Sequence, residues 1–395
     1  MLKKVSYFIL FFILLFAINL SEGEASEVNY ITIKEDDVPV FNNITSRASV
    51  GFLKIHQTYK VNSEEQNYWK INFGNGVGYV AKNHATATSK KEKASKEYKS
   101  KKIIIINENT TVYEKASPKA KSIAVIAKNQ RYPIVSNHYF NWYKVKIGGK
   151  IGYIHKENTE KDKGIPVLMY HHLLPDALNK KFRDISAVTS VENFEAQMKW
   201  LSDNGYQTIL LQDLEQFLNK EINLPGKVVA ITFDDGLKSN YLYGHPILKK
   251  YHFQATEFLI TSRIHLDKTP DFTPDAIQTL SMTEVEAMKD IFDLQSHTHN
   301  LHAAKNGKSH VLLKSYEEVK NDFQMNIDMI DSQYMAYPFG QHKRQTIKIL
   351  KELDMKMAFT IKKGKVKIGD NPYKLKRLAV NYDHTLEEFI ELVVN

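Results

Sequence analysis

The chain has 395 residues, 25% of them charged and 43% apolar, a globular balance that excludes global disorder and collagen-like structure. There is no cysteine, which excludes disulfides, cysteine-ligated zinc, iron–sulfur clusters and a thiol nucleophile, so any metal must rest on His, Asp or Glu. The 54 Lys plus Arg against 45 Asp plus Glu give a net charge of +9, which favours anionic surroundings, and the length suits two or three domains.

Lys3 and Lys4 precede an apolar run from Val5 to Leu20, shorter than the roughly 20 residues that span a bilayer. Gly23-Glu24-Ala25 follows with the small-x-small spacing of a cleavage site. Residues 1–25 are therefore predicted to be a signal peptide, with an uncleaved N-terminal membrane anchor as the alternative. A lipoprotein anchor is excluded because it needs a cysteine. The chain beyond is expected to be secreted or cell-wall associated, and an exported chain without disulfides suits a Gram-positive bacterium. No nucleic-acid partner is expected.

Residues 68–80, YWKINFGNGVGYV, recur as residues 142–154, WYKVKIGGKIGYI. Each copy alternates apolar and polar residues around a glycine turn, the pattern of a β-hairpin. Two small all-β units result, over residues 28–84 and 103–158. Both resemble bacterial SH3-like domains, which end in W-x-K-V, a glycine turn and G-Y-V. That resemblance implies small barrels that hold an enzyme against peptidoglycan or another wall polymer. Residues 85–102 carry many lysines and little apolar content, and are predicted to be a solvated linker.

From about residue 164 short apolar runs alternate with amphipathic segments. The runs are Pro166–Tyr170, Gln207–Leu211, Val228–Phe233, Ala255–Ile260, Phe292–Ser296, Met335–Tyr337 and Met357–Ile361. Helical spacing falls over Val191–Asn204, Ser239–Tyr251, Thr283–Asp290, Tyr316–Ile330 and Arg344–Leu353. The alternation predicts a parallel α/β fold over residues 164–395, a distorted or incomplete (β/α) barrel, with chemistry at the C-terminal ends of its strands.

Three polar signals stand at such ends. Thr232-Phe233-Asp234-Asp235-Gly236 closes one strand, and successive side chains on a strand point opposite ways, so Asp234 and Asp235 can serve different roles around one site. Ser296-His297-Thr298-His299-Asn300-Leu301-His302 closes another. His297 and His302 are five apart, wrong for one helical face but suited to a strand end whose turn curls back. His297 with His299 is the competing pair. Tyr337-Pro338-Phe339-Gly340 ends a third strand in a rigid turn with an aromatic ledge, suited to a sugar ring. Two histidines, a ligand carboxylate and a spare carboxylate suit one divalent ion, Zn²⁺ foremost, with Co²⁺, Ni²⁺, Mn²⁺ and Fe²⁺ open because ligand type alone does not choose.

The ordered set TFDDG, H-T-x3-H and YPFG resembles the polysaccharide deacetylases of carbohydrate esterase family 4. The resemblance implies metal-dependent hydrolysis of N-acetyl groups from an N-acetylglucosamine polymer, with release of acetate. Asp235, His297 and His302 would be the metal ligands and Asp234 the general base; Tyr337, Pro338, Phe339 and Gly340 would border the substrate. Several family features are missing. Ala336 stands where many members have an arginine that steers the base, and the later Asp-Trp and Leu-x-His elements are absent. These departures, with Tyr170-His171-His172 at the first strand end, resemble the subgroup acting on poly-β-1,6-N-acetylglucosamine, where a first-strand histidine assists. That implies a catalytic role for His171, with packing at the barrel mouth as the other reading of His171 and His172. Peptidoglycan is the alternative substrate. A wall-binding protein without catalysis is the alternative of another class.

Overall fold

The computed structural model describes residues 29–88, 100–138, 141–267 and 271–395. The expected signal peptide, and most of the lysine-rich linker, lie outside the described residues. Among the described residues no helix is long and apolar enough to cross a membrane.

Both repeat hairpins form. Tyr68–Phe73 pairs with Gly76–Ala81, and Trp142–Ile147 pairs with Lys150–His155. Each turns on residues with positive φ, Gly74 at 67° in the first and Gly148 and Gly149 at 50° and 84° in the second, where a side chain would be strained. The two units do not stand apart as separate barrels. Ser122–Ile126 of the second pairs with Ser49–Leu53 of the first, and Ile147 with Phe73, so one twelve-stranded antiparallel sheet carries both. Their inward residues, among them Val40, Leu53, Ile71, Val112, Val145 and Ile154, form one continuous core. Edge strands with free N–H and C=O groups pair readily, and here each copy covers the other's edge.

The expected linker is also shorter at its start. Ala85–Thr88 is a strand paired with Tyr30–Ile33, so the first unit's sheet continues past residue 84. The second unit's strands likewise run to Lys161, where Thr159–Lys161 pairs with Ile103–Ile106.

Beyond this sheet, seven strands run parallel: β1 (Val167–Tyr170), β2 (Val228–Asp234), β3 (Ala255–Leu259), β4 (Phe292–Ser296), β5 (Tyr334–Ala336), β6 (Met357–Lys363) and β7 (Leu375–Ala379). They pair in chain order, and β1 pairs with both β2 and β7, so the sheet closes on itself. β2 is buried along its whole length, as expected of a strand covered on both faces. Two expectations differ from what is seen. The run Gln207–Leu211 yields only a two-residue strand, Gln207–Thr208, because Leu211 already begins the helix Leu211–Leu218. β7 has no counterpart among the predicted runs, yet it completes the ring. Helices cap as their sequences dictate: Ser190 accepts from Asn193 N–H, and Ser315 forms a capping box with Glu318 ahead of Tyr316–Ile330. Parallel closure leaves all seven C-terminal strand ends on one rim, where the polar signals of the sequence meet.

Candidate active site

β2 ends on Asp234, and Asp235 follows with φ 80°, a left-handed conformation that turns its carboxylate back over the rim. β4 ends on Ser296, and the next six residues carry His297 and His302. Thr298, a β-branched residue, sits there at φ 74°. Such strain persists only where neighbours over-determine it. Asp322 and Asn326, from the helix Tyr316–Ile330, supply that restraint. Asp322 accepts the backbone N–H groups of His299 and Asn300 at 2.9 and 2.7 Å, and the Asn326 amide donates to the carbonyls of Thr298 and Leu259 at 2.9 and 3.1 Å.

Within this frame Asp235, His297 and His302 converge, with ligand atoms within 4.8 Å of one another. Asp235 Oδ1 lies 3.6 Å from His297 Nε2 and 3.3 Å from His302 Nε2. His297 Nδ1 donates to the Ala336 carbonyl at 2.7 Å, which fixes the tautomer and leaves Nε2 with a bare lone pair facing the cluster. Burial pulls the pKa of His297 down, and burial followed by repulsion from His297 pulls His302 down to about 4, so both favour the neutral form that ligates metal. Asp235 Oδ1 is buried with no hydrogen-bond partner. An orphaned carboxylate oxygen between two lone pairs is what a divalent cation satisfies, and these three residues fit one.

Asp234 points the other way, into the ring, and is 2% exposed. Arg377 of β7 grips it fork to fork, Nη1 to Oδ1 and Nη2 to Oδ2, both at 2.7 Å. The guanidinium is itself fully buried and is completed by Thr360 O at 3.2 Å and Thr232 Oγ1 at 3.3 Å. Burial would raise the Asp234 pKa, but Arg377, with His297 and His171, outweighs it and holds the carboxylate well below its ordinary range. Ala336 stands where an arginine is expected, and Arg377, 41 residues on, fills that place against Asp234. The only local signal is an arginine in the otherwise apolar register of Leu375-Lys376-Arg377-Leu378-Ala379.

His171, just past β1, brings Nε2 to 3.8 Å from Asp234 Oδ2 and remains a quarter exposed. His172 turns away. It is buried on Ser239 Oγ at 2.8 Å and against the edge of Phe182, and burial pulls it down to about 4. His299 bonds Thr261 Oγ1 at 3.0 Å and stands outside the ligand cluster.

Of the four ledge residues, Tyr337 and Pro338 are buried, and the Tyr337 hydroxyl donates to Tyr373 O at 3.0 Å. Tyr337 closes the apolar run Met335–Tyr337 and packs in the core, because the chain turns only after it. Phe339, at φ 58°, is exposed and sets its ring 4.7 Å from that of His302. Gly340 passes so close to β6 that a Cβ there would meet Ile361 N at 2.8 Å. Of these four residues, Phe339 is the one exposed beside the metal-ligating cluster.

A second residue missed from sequence is Glu257 of β3. It is fully buried and accepts from Gly236 N–H and the Asn240 amide, each at 3.1 Å, behind the Asp234–Asp235 turn. Burial, and then proximity to the two aspartates, pushes its pKa well up.

A family profile, polysaccharide deacetylase, matches residues 221–358. A putative polysaccharide deacetylase of Bacillus subtilis, YxkH, is 31% identical over 56% of this chain and 74% of its own. A poly-β-1,6-N-acetyl-D-glucosamine N-deacetylase of Staphylococcus epidermidis is 29% identical over 58% of this chain and 82% of its own. Among solved structures, the Streptococcus pyogenes deacetylase PplD, in complex with acetate, shares the fold. Its TM-score is 0.51 at 24% identity, over 59% of this chain and 99% of that one.

Proposed function

This chain belongs to the polysaccharide deacetylase family, hydrolases that act on N-acetyl amide bonds, and from that premise we propose that it deacetylates an extracellular N-acetylglucosamine polymer, the β-1,6-linked one foremost. The observation that carries the reading is the pairing of two carboxylates with opposite surroundings: Asp235 orphaned between His297 and His302, Asp234 locked to Arg377.

Asp235, His297 and His302 would hold one divalent ion, zinc foremost. When bound, such an ion polarises a carbonyl and acidifies water. Arg377 keeps Asp234 ionised and fixed in direction, so that it accepts the proton of the attacking water. His171, 3.8 Å from Asp234 Oδ2, is the group on hand to pass a proton to the departing sugar amine. Phe339, beside His302, offers an apolar face to a pyranose ring. The parallel ring reads as a distorted (β/α) barrel. The two N-terminal units read as fused SH3-like domains that hold the enzyme to peptidoglycan or a related wall polymer. With residues 1–25 as an export signal or anchor, the protein would work outside the cell.

The test is acetate release by the purified chain from β-1,6-linked N-acetylglucosamine oligomers and from peptidoglycan, before and after chelation. Release from the oligomers that chelation abolishes and a divalent ion restores is the expected result. Greater release from peptidoglycan would move the substrate. No release from either by a metal-loaded chain would make this a wall-binding protein without catalysis.

A further inference from the structure

Outside the active site, a cavity of about 760 Å³ lies between the β6–β7 connection and the C-terminal helix Leu386–Val394. Six lysines line it: Lys163, Lys362, Lys363, Lys365, Lys367 and Lys376. A second crevice, of about 520 Å³, runs on from it beneath the N-terminal sheet and shares Lys163 and Lys365. Neither shares a residue with the catalytic cluster. The alternation of β7 explains the separation, since Arg377 points into the ring while Lys376 faces outward.

Elsewhere on this surface lysines are commonly ion-paired, as Lys249 is with Asp290, Lys250 with Glu195 and Lys314 with Glu318. In the cavity only Lys376 reaches a carboxylate among the described residues, Asp370 at 3.8 Å. Two glutamates, Glu388 and Glu391, stand against the six lysines, and Glu388 is already committed to capping its helix at Thr385 N–H, 2.8 Å away. Lys365 registers the crowding. Burial, followed by repulsion from Lys163 and Arg131, pulls its ammonium down to about 8. Concave walls focus the field of such a cluster, so an ion of opposite charge would be held rather than merely attracted.

The glycan bound at the catalytic rim has no use for this trench: an N-acetylglucosamine polymer is uncharged and its deacetylated product is cationic. We propose that the trench binds a second polymer, a phosphodiester-linked polyanion without bases, and so anchors the enzyme through a face remote from its chemistry. Lysine suits this ligand, a compact point charge that meets successive phosphates without the planar geometry arginine demands.

The experiment is retention of the full chain on an immobilised glycerol-phosphate polymer across a salt series. A single-stranded oligonucleotide of equal charge and phosphatidylglycerol vesicles serve as the other arms. The double variant Lys362→Glu/Lys367→Glu is compared with Lys249→Glu/Lys250→Glu, whose lysines are ion-paired, and melting temperatures check that both fold. The expected result is retention that falls steeply with salt, as counter-ion release requires, and about a tenfold or greater loss in the first variant alone. Absent retention at low salt, equal loss in both variants, or stronger retention by the oligonucleotide or the vesicles would each overturn the proposal.

Discussion

In the N-terminal region the two copies of the repeat meet through aliphatic and aromatic side chains, and Arg131 and Lys146 are the charged groups it buries among the described residues. The parallel ring and its helices bury Asp234, Lys238, Glu257, Glu284, Asp322 and Arg377. Lys238 is paired with Glu284, Asp234 with Arg377, and Glu257 is held by an amide and a backbone N–H. Buried charge is weak as a source of stability, since desolvation cancels most of the attraction, whereas breaking such a pair is costly. The contrast is one of degree: among the described residues the N-terminal region keeps the single buried pair Arg131–Asp162, whereas the ring keeps Lys238–Glu284 and Asp234–Arg377 and aims the latter at the rim.

Four perturbations would break or sharpen that contrast. Asp234→Asn should leave metal content intact and lower turnover by about 10²- to 10⁴-fold, the usual worth of a positioned general base; metal analysis beside acetate release checks it, and unchanged turnover would remove Asp234 from that role. Arg377→Leu leaves Asp234 buried and unpaired, so unfolding free energy should drop by about 3–5 kcal/mol in a denaturant titration, with activity falling too. In the other region, Ile154→Ala should cost about 2–5 kcal/mol in the same titration. It should leave turnover on soluble oligomers unchanged, and a matching loss of turnover would mean that the two regions are coupled.

The smallest effect concerns pH. His172 is held neutral in the fold, with its pKa lowered from 6.5 to about 4. A lowered pKa means that the unfolded chain binds the proton first. The stabilisation is therefore complete above 6.5 and is lost as pH falls towards 4, a change on the order of 3 kcal/mol. His172→Asn should flatten the stability profile across that window.

Sequence exposed the parts of this site that are local. The D-D-G turn and the five-residue histidine spacing carry their geometry with them, because a strand end and a tight turn decide where those side chains go. What escaped depends on distant partners. Near Arg377 the one signal is its place in an apolar register, and its carboxylate partner is supplied by another strand. Tyr337 reads as part of the substrate border because it opens the Y-P-F-G motif, but it closes the apolar run Met335–Tyr337 and is buried. The fusion of the two repeats escaped for a related reason: alternation defines each strand, while which edge meets which is settled only in three dimensions.

The Arg377–Asp234 clasp joins residues 143 positions apart, one on the second strand of the ring and the other on the last. Until the seventh strand docks, Asp234 has no counter-ion and the ring has no closing wall. A chain clipped before residue 375 would lack the guanidinium that orients Asp234 and the strand that closes the ring. The order of the strands thus ties the setting of that carboxylate to ring closure.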